Sequence, residues 1–165
     1  MRRSCIALIV LGCLMAIGPT LSHARDNGIK GYGALAGLSL GPDQLLIGGF
    51  VDFGAIATPI RVLGFADVGF GEDLTTVGAG PSFVAVIPVE GVGQFYGGIF
   101  VGLNYIRWSD IAGVNISGSD TDFGIAADFG LIYPMENNGL LFDLKINLDS
   151  HADLKLVVGY EIGLD

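Results

Sequence analysis

The chain has 165 residues, of which 51% are hydrophobic and only 15% are charged. A charged fraction below the ~25% of a typical soluble domain cannot cover an ordinary soluble surface, and the high apolar content excludes a disordered chain. The net charge of -9 argues against a basic patch for nucleic acid or anionic headgroups, so we expect no nucleic-acid partner.

The first 24 residues have the pattern of a secretory signal peptide. Two arginines precede an apolar run over residues 5–17, and Ser22-His23-Ala24 forms a small-residue cleavage site. The run is shorter than the ~20 apolar residues that a membrane-spanning helix needs. We predict Sec-type export with cleavage after Ala24, which leaves residues 25–165 as a single domain. Both cysteines leave with the signal, so we expect neither a disulfide nor a cysteine metal ligand.

The glycine-rich remainder of the chain predicts an all-β fold. No stretch has sustained apolar spacing of three and four residues, whereas apolar and polar residues alternate clearly in the last three segments. Turn sequences such as Gly41-Pro42-Asp43 separate the segments. We predict eight strands, in chain order over residues 31–40, 45–54, 60–70, 75–86, 94–106, 122–133, 140–148 and 154–164.

Along each predicted strand, alternate positions form a polar set, the polar parity, and an apolar set, the apolar parity. The composition of the polar parity favours a membrane barrel in which the polar parity faces the interior. The polar parity holds few charges and is otherwise filled mostly with Gly and Ala, as the narrow interior of an eight-stranded barrel requires. The predicted lumenal residues are Arg61, Asp67, Asp128, Asp143, Lys145, Lys155 and Glu161. The predicted lipid-facing residues are Phe123, Ile125, Phe129, Leu140, Phe142, Leu144, Ile146, Leu156, Val158 and Tyr160. The predicted interfacial aromatic residues, near strand ends, are Phe70, Phe95, Tyr105, Trp108 and Tyr133.

The signal peptide, the alternating glycine-rich strands and the final segment Asp153–Leu164 together resemble the small outer-membrane β-barrel family of Gram-negative bacteria, the porin-like or surface-antigen barrels. The resemblance covers residues 25–165 and rests on patterns. It implies an eight-stranded antiparallel up-and-down transmembrane barrel in the bacterial outer membrane, in contact with outer-membrane lipid and assembled by the barrel-assembly machinery. Members usually end on an aromatic residue that this machinery reads, whereas this chain ends Leu164-Asp165.

The isolated chemical motifs do not assemble into a reactive site. Residues 31–36 match the loose dinucleotide fingerprint, but the required preceding strand and following helix are missing. Ser150 and His151 are adjacent, which prevents the convergence that a catalytic triad needs. Asp149, His151 and Asp153 share a face, but a polar hairpin turn is the favoured interpretation. We therefore expect no enzyme activity, no cofactor and no metal.

The predicted function is a structural or surface-interaction role. Eight strands enclose a lumen that side chains can fill, so we do not expect an open diffusion pore. Residues 109–119 form the largest predicted external loop and the expected surface for a partner. A soluble periplasmic lipocalin-like barrel that binds a small apolar ligand stays open as an alternative. Phe50, Phe65 and Phe100 lie on the parity assigned to the interior, where they could line a cavity.

Overall fold

A computed structural model describes residues 28–108, 118–148 and 154–164. These residues form a closed antiparallel barrel in which each strand pairs with its sequence neighbours and the last strand pairs with the first. The strands, in chain order, are β1 (Gly31–Leu40), β2 (Gln44–Ala57), β3 (Ile60–Phe70), β4 (Leu74–Val89), β5 (Gly93–Trp108), β6 (Gly118–Met135), β7 (Asn138–Asn147) and β8 (Leu154–Gly163). No helix in this part of the chain is long and apolar enough to cross a membrane. The predicted signal peptide lies outside the described residues.

The two ends of the barrel differ in the length of their connections. Gly31 at the start of β1 pairs with Gly163 at the end of β8, so the first and last strands meet at one end, the terminal end. The turns β2–β3, β4–β5 and β6–β7 lie at this end and are all short. The opposite end, the loop end, carries the two longest connections, over residues 109–117 and 148–153. Short turns at one end and longer loops at the other are typical of membrane barrels.

At the loop end β6 extends past β7, because the last residue of β7, Asn147, pairs with Ala126 near the middle of β6. The first six residues of β6 are all exposed, without the alternation seen further along the strand. Gly118 and Ser119, predicted to lie in the external loop, instead pair with Trp108 and Arg107. The prediction of a loop over 109–119 was wrong at this boundary, because cross-strand pairing forms a strand from polar residues with little strand preference of their own. Residues 109–117 and the turn around His151 lie outside the described residues.

The strands have one buried and one exposed face. In β8, Val157, Gly159 and Glu161 are buried, whereas Leu156 and Val158 are 54% and 46% exposed. Large apolar side chains are exposed on every strand of the barrel. Soluble monomers rarely expose contiguous apolar patches above a few hundred Å². The closed ladder of strands also pairs the backbone N–H and C=O groups with one another, as a hydrocarbon environment requires.

A charge introduced on the exposed face tests whether that face contacts hydrocarbon. Val158 is exposed near the middle of β8, whereas Leu40 is exposed at the loop end of β1. We expect Val158→Arg to lower the free energy of unfolding in a bilayer by ~2–4 kcal/mol and Leu40→Arg by ~0–1 kcal/mol, because the cost of a charge falls from the midplane to the interface. Urea titration of the barrel in phospholipid vesicles measures both values. Equal costs would contradict a hydrocarbon-facing band.

Candidate functional site

Among the described residues, most of the buried polar side chains in the lumen fall into three clusters, and the first lies towards the terminal end. This terminal-end cluster consists of Asp52, Arg61, Gln94 and Glu161. The Arg61 Nε donates to Asp52 Oδ1 over 2.8 Å, a second guanidinium nitrogen pairs with Asp52 Oδ2, and Nη1 donates to Gln94 Oε1 over 3.0 Å. Glu161 lies buried nearby on the inward face of β8.

A bulge in β2 positions the Asp52 carboxylate. The register of β2 against β3 shifts between Asp52 and Ala55, and Gly54 has a positive φ of 75°. A glycine accommodates this backbone conformation without steric cost. The Gly54 N–H then donates to Asp52 Oδ1 over 2.7 Å. The carboxylate is therefore held by its own strand as well as by Arg61.

The central cluster is the most buried of the three. It consists of Ser82, Tyr96, Asp128, Asp143 and Lys145, all buried. The Lys145 ammonium pairs with Asp143 and lies 3.6 Å from Asp128 Oδ2. The Ser82 hydroxyl donates to Asp128, and the Tyr96 hydroxyl donates to Asp143 Oδ2 over 2.6 Å. The cluster thus places two carboxylates around one ammonium, with two hydroxyl donors.

Aromatic rings enclose the same ammonium. Lys145 Nζ lies 3.5 Å from the ring centroid of Phe65 and 5.6 Å from that of Phe100. Phe50 stacks on Phe65 with a centroid separation of 6.0 Å. A cation over a ring face is attracted by the ring quadrupole, and the attraction is stronger when the cation is desolvated. The three phenylalanines that could have lined a ligand cavity instead pack with one another and around the central cluster.

The loop-end cluster consists of Gln44, Asp67, Thr76 and Lys155. Lys155 Nζ lies 3.2 Å from Asp67 Oδ1, with side chains 13% and 12% exposed. The Thr76 hydroxyl donates to Gln44 Oε1 over 2.9 Å, and Gln44 Nε2 donates to the Leu74 carbonyl over 3.2 Å. This cluster therefore occupies the loop end of the lumen, where Gln44 is buried and the Lys155–Asp67 pair is partly exposed.

The predicted site residues occupy both faces of the barrel. Asp128, Asp143, Lys145 and Glu161 are buried in the lumen, and Arg61, Asp67 and Lys155 are half-buried there. The predicted lipid-facing residues that are exposed on the outer surface are Phe123, Ile125, Phe129, Phe142, Ile146, Leu156, Val158 and Tyr160. Leu140 and Leu144 are half-buried at positions of the same outward parity.

Several residues that complete the clusters are not among the predicted lumenal residues. Asp52 shares a parity with the apolar Leu46 and Phe50, and this mixed face obscured its lumenal role. Tyr96 follows Phe95, which was assigned to the outer surface, so strict alternation would have placed Tyr96 inside. Ser82 and Gln94 are neutral polar residues that carry no charge signal in a sequence. Their roles emerge only from the pairing of the strands.

The clusters connect strands that are not neighbours in the sheet. Arg61 links β2 and β3 to β5, the central cluster joins β4 and β5 to β6 and β7, and Lys155 links β8 to β3. Charge-assisted hydrogen bonds in a low-dielectric interior are strong, and each buried charge needs such partners. The arrangement therefore braces the barrel internally with buried and half-buried side chains.

Comparison with solved structures identifies other proteins that have this architecture. No family model and no curated protein matches the chain. The N-terminal β-barrel domain of Pseudomonas aeruginosa OprF has a TM-score of 0.60 at 13% sequence identity, covering 83% of this chain and 100% of that chain. The chain has the fold of the eight-stranded outer-membrane β-barrels.

Two further outer-membrane barrels show the same likeness in fold. Neisserial surface protein A (NspA) has a TM-score of 0.63 at 13% identity, covering 82% of this chain and 96% of that chain. Ail, the attachment invasion locus protein of Yersinia pestis, has a TM-score of 0.55 at 13% identity, covering 82% and 95% respectively. At these identities the shared property is the fold.

Removing the central cation tests the bracing role of the lumen. Lys145→Met leaves Asp128 and Asp143 buried without a counter-ion, and we expect it to lower the free energy of unfolding by ~3–5 kcal/mol. Lys155→Met is the matched control and should cost less, because its pair with Asp67 is partly exposed. Urea titration of the folded barrel measures both variants.

The charge-free triple variant Lys145→Met/Asp128→Asn/Asp143→Asn separates the effect of buried charge on stability from the effect of side-chain packing. We expect it to recover most of the lost stability, because it leaves no uncompensated buried charge. A loss for Lys145→Met no larger than that for Lys155→Met would refute the central role of this cation.

Proposed function

We propose that this chain is a closed outer-membrane barrel with a structural or surface-interaction role. In this proposal it is not an open diffusion pore and not an enzyme. The chain is exported through the Sec pathway, loses residues 1–24, and is inserted by the barrel-assembly machinery. The terminal end faces the periplasm and the loop end faces the outside of the cell.

The observation that carries this proposal is the packed, ion-paired lumen. Asp52 and Asp128 are fully buried, and Asp143 and Lys145 are 1% and 6% exposed. A water-filled channel would leave such groups hydrated, as in the wider barrels that leave an aqueous channel. Because the charges pair with one another in the centre of the barrel, the interior serves cohesion, and interactions with other molecules are left to the outer surfaces.

The β5–β6 hairpin supports a surface role at the loop end. Its exposed strands carry Asp120 and Asp122 on β6, whose carboxylates accept hydrogen bonds from the following backbone N–H groups over 2.8 Å. Arg107 is exposed opposite Ser119. We propose that this hairpin, together with residues 109–119, is the surface for a partner. The comparison structures include one described as a surface protein and one as an attachment invasion locus protein.

Cell fractionation and conductance recording test the proposal together. We expect the protein in the outer-membrane fraction, with a gel mobility that changes on boiling because the closed ladder resists detergent until heated. Reconstituted into a planar bilayer, the unheated protein should give no steady ion current above that of a protein-free detergent control. Recovery in the soluble periplasm would refute the membrane location and favour the ligand-binding alternative. Stable unitary currents would refute the closed lumen.

A further inference from the structure

A groove interrupts the apolar outer surface across β1 to β4. Its volume is about 590 Å³, within the range of about 300–1,000 Å³ that small-molecule sites occupy, and it is open along its outer side. The lining side chains that reach the outer face are Tyr32, Val51, Phe53, Ala66 and Pro81, with the backbone of Gly49 and Gly64 between them. The only polar side-chain group in this lining is the Tyr32 hydroxyl.

Strand register explains the groove. Val51 pairs with Gly64 and Gly64 with Pro81, while Gly49 pairs with Ala66 in the adjacent row. Two neighbouring rows of small outward residues therefore leave a depression that runs across three strands. The Phe53 ring lies over Gly64, since a Cβ built on Gly64 would be 2.8 Å from Phe53 Cε2, and both residues line the groove.

A proline in β4 marks the same place. Pro81 has no N–H, and the pairing of β4 with β5 omits Gly80 and Pro81. A proline inside a closed sheet removes a ladder hydrogen bond and is normally confined to edges or bulges. Departures from such local rules concentrate at functional sites. The groove thus coincides with an interruption of the ladder, in addition to a run of small residues.

The position of the groove determines what can fill it. It is continuous with the exposed apolar band, where the proposed function places lipid hydrocarbon. Water would find few hydrogen-bond partners in a lining of this composition, and an empty groove would forfeit dispersion contacts. A linear hydrocarbon chain needs no hydrogen-bond partners, and it would supply the dispersion contacts that an empty groove lacks. Tyr32 is the second residue of β1, at the terminal end, where an amphipathic ring suits the membrane interface.

We propose that this groove is a binding site for one acyl chain of a glycerophospholipid whose headgroup lies at the terminal end, beside Tyr32. The inference rests on the proposed function, because it requires the outer face to contact lipid. It adds a specific lipid site to a surface that would otherwise contact bulk hydrocarbon. The ligand class is a two-chain phospholipid of the leaflet at the terminal end.

The experiment uses the folded barrel in vesicles containing phosphatidylethanolamine with a photoreactive diazirine on one acyl chain. After irradiation, mass spectrometry of peptides maps the labelled residues. We expect labelling to concentrate on β2, β3 and β4 around the groove. Ala66→Leu fills the groove from its outer side and should reduce that labelling about ten-fold, since several chain methylenes lose their contacts.

The matched control is Ala127→Leu, which enlarges an alanine of the same outward parity on β6, away from the groove. It should leave groove labelling unchanged. Val51→Phe is a second groove-filling variant, for use if Ala66→Leu fails to show the heat-dependent mobility of the folded barrel. Tyr32→Phe should weaken labelling while the groove stays open, because it removes only the hydroxyl.

Three results would overturn the inference. Labelling spread evenly around the barrel and unaffected by Ala66→Leu would mean bulk lipid contact only. Absence of labelling at the groove, together with the mass of a dimer for the folded barrel in detergent, would mean that a second copy occupies the groove. Recovery of the protein in the soluble fraction would overturn the proposed function as well, whereas the first two results leave the membrane location intact.

Discussion

The narrow bore of a closed eight-stranded barrel is the constraint on which the rest of this structure depends. Side chains that point inward must contact one another, so every lumenal charge needs a partner there. Lys145 meets this demand at the centre, between Asp128 and Asp143 and against the ring of Phe65. The polar parity can tolerate burial only because these groups pair. The apolar parity is then left on the outside, where the proposed function places it in contact with hydrocarbon.

The period of two in the sequence was sufficient to predict eight strands, and in the last three strands it also distinguishes the buried face from the exposed face. β1 and β3 have the bounds that alternation and turn residues predict, whereas β6 begins earlier because pairing with β5 extends it. The ion-pair partners could not be predicted, since Asp67 and Lys155 are 88 residues apart and meet only when register and shear are fixed. The β2 bulge that positions Asp52 likewise depends on pairing with β3.

Small residues serve two different purposes in this barrel. The sequence pattern predicts glycine and alanine in the lumen, and Gly130 fits that role, because the Tyr96 side chain lies over its backbone and reaches Asp143. Gly49, Gly64 and Ala66, however, lie on the outer face, where lumenal space cannot explain them. The same residue types therefore make room for a braced interior on one face, and for the Phe53 ring and the proposed lipid chain on the other.

Site-directed spin labelling along β8 tests most directly whether the polar face is inside and the apolar face is in lipid. The predicted mature chain has no cysteine, so single cysteines at Leu156, Val157, Val158 and Tyr160 would each carry one label. We expect labels at 156, 158 and 160 to be accessible to oxygen but not to a water-soluble nickel chelate, and the label at 157 to be accessible to neither. Labels at 156, 158 and 160 shielded from both reagents, with 157 accessible to the chelate, would contradict the account.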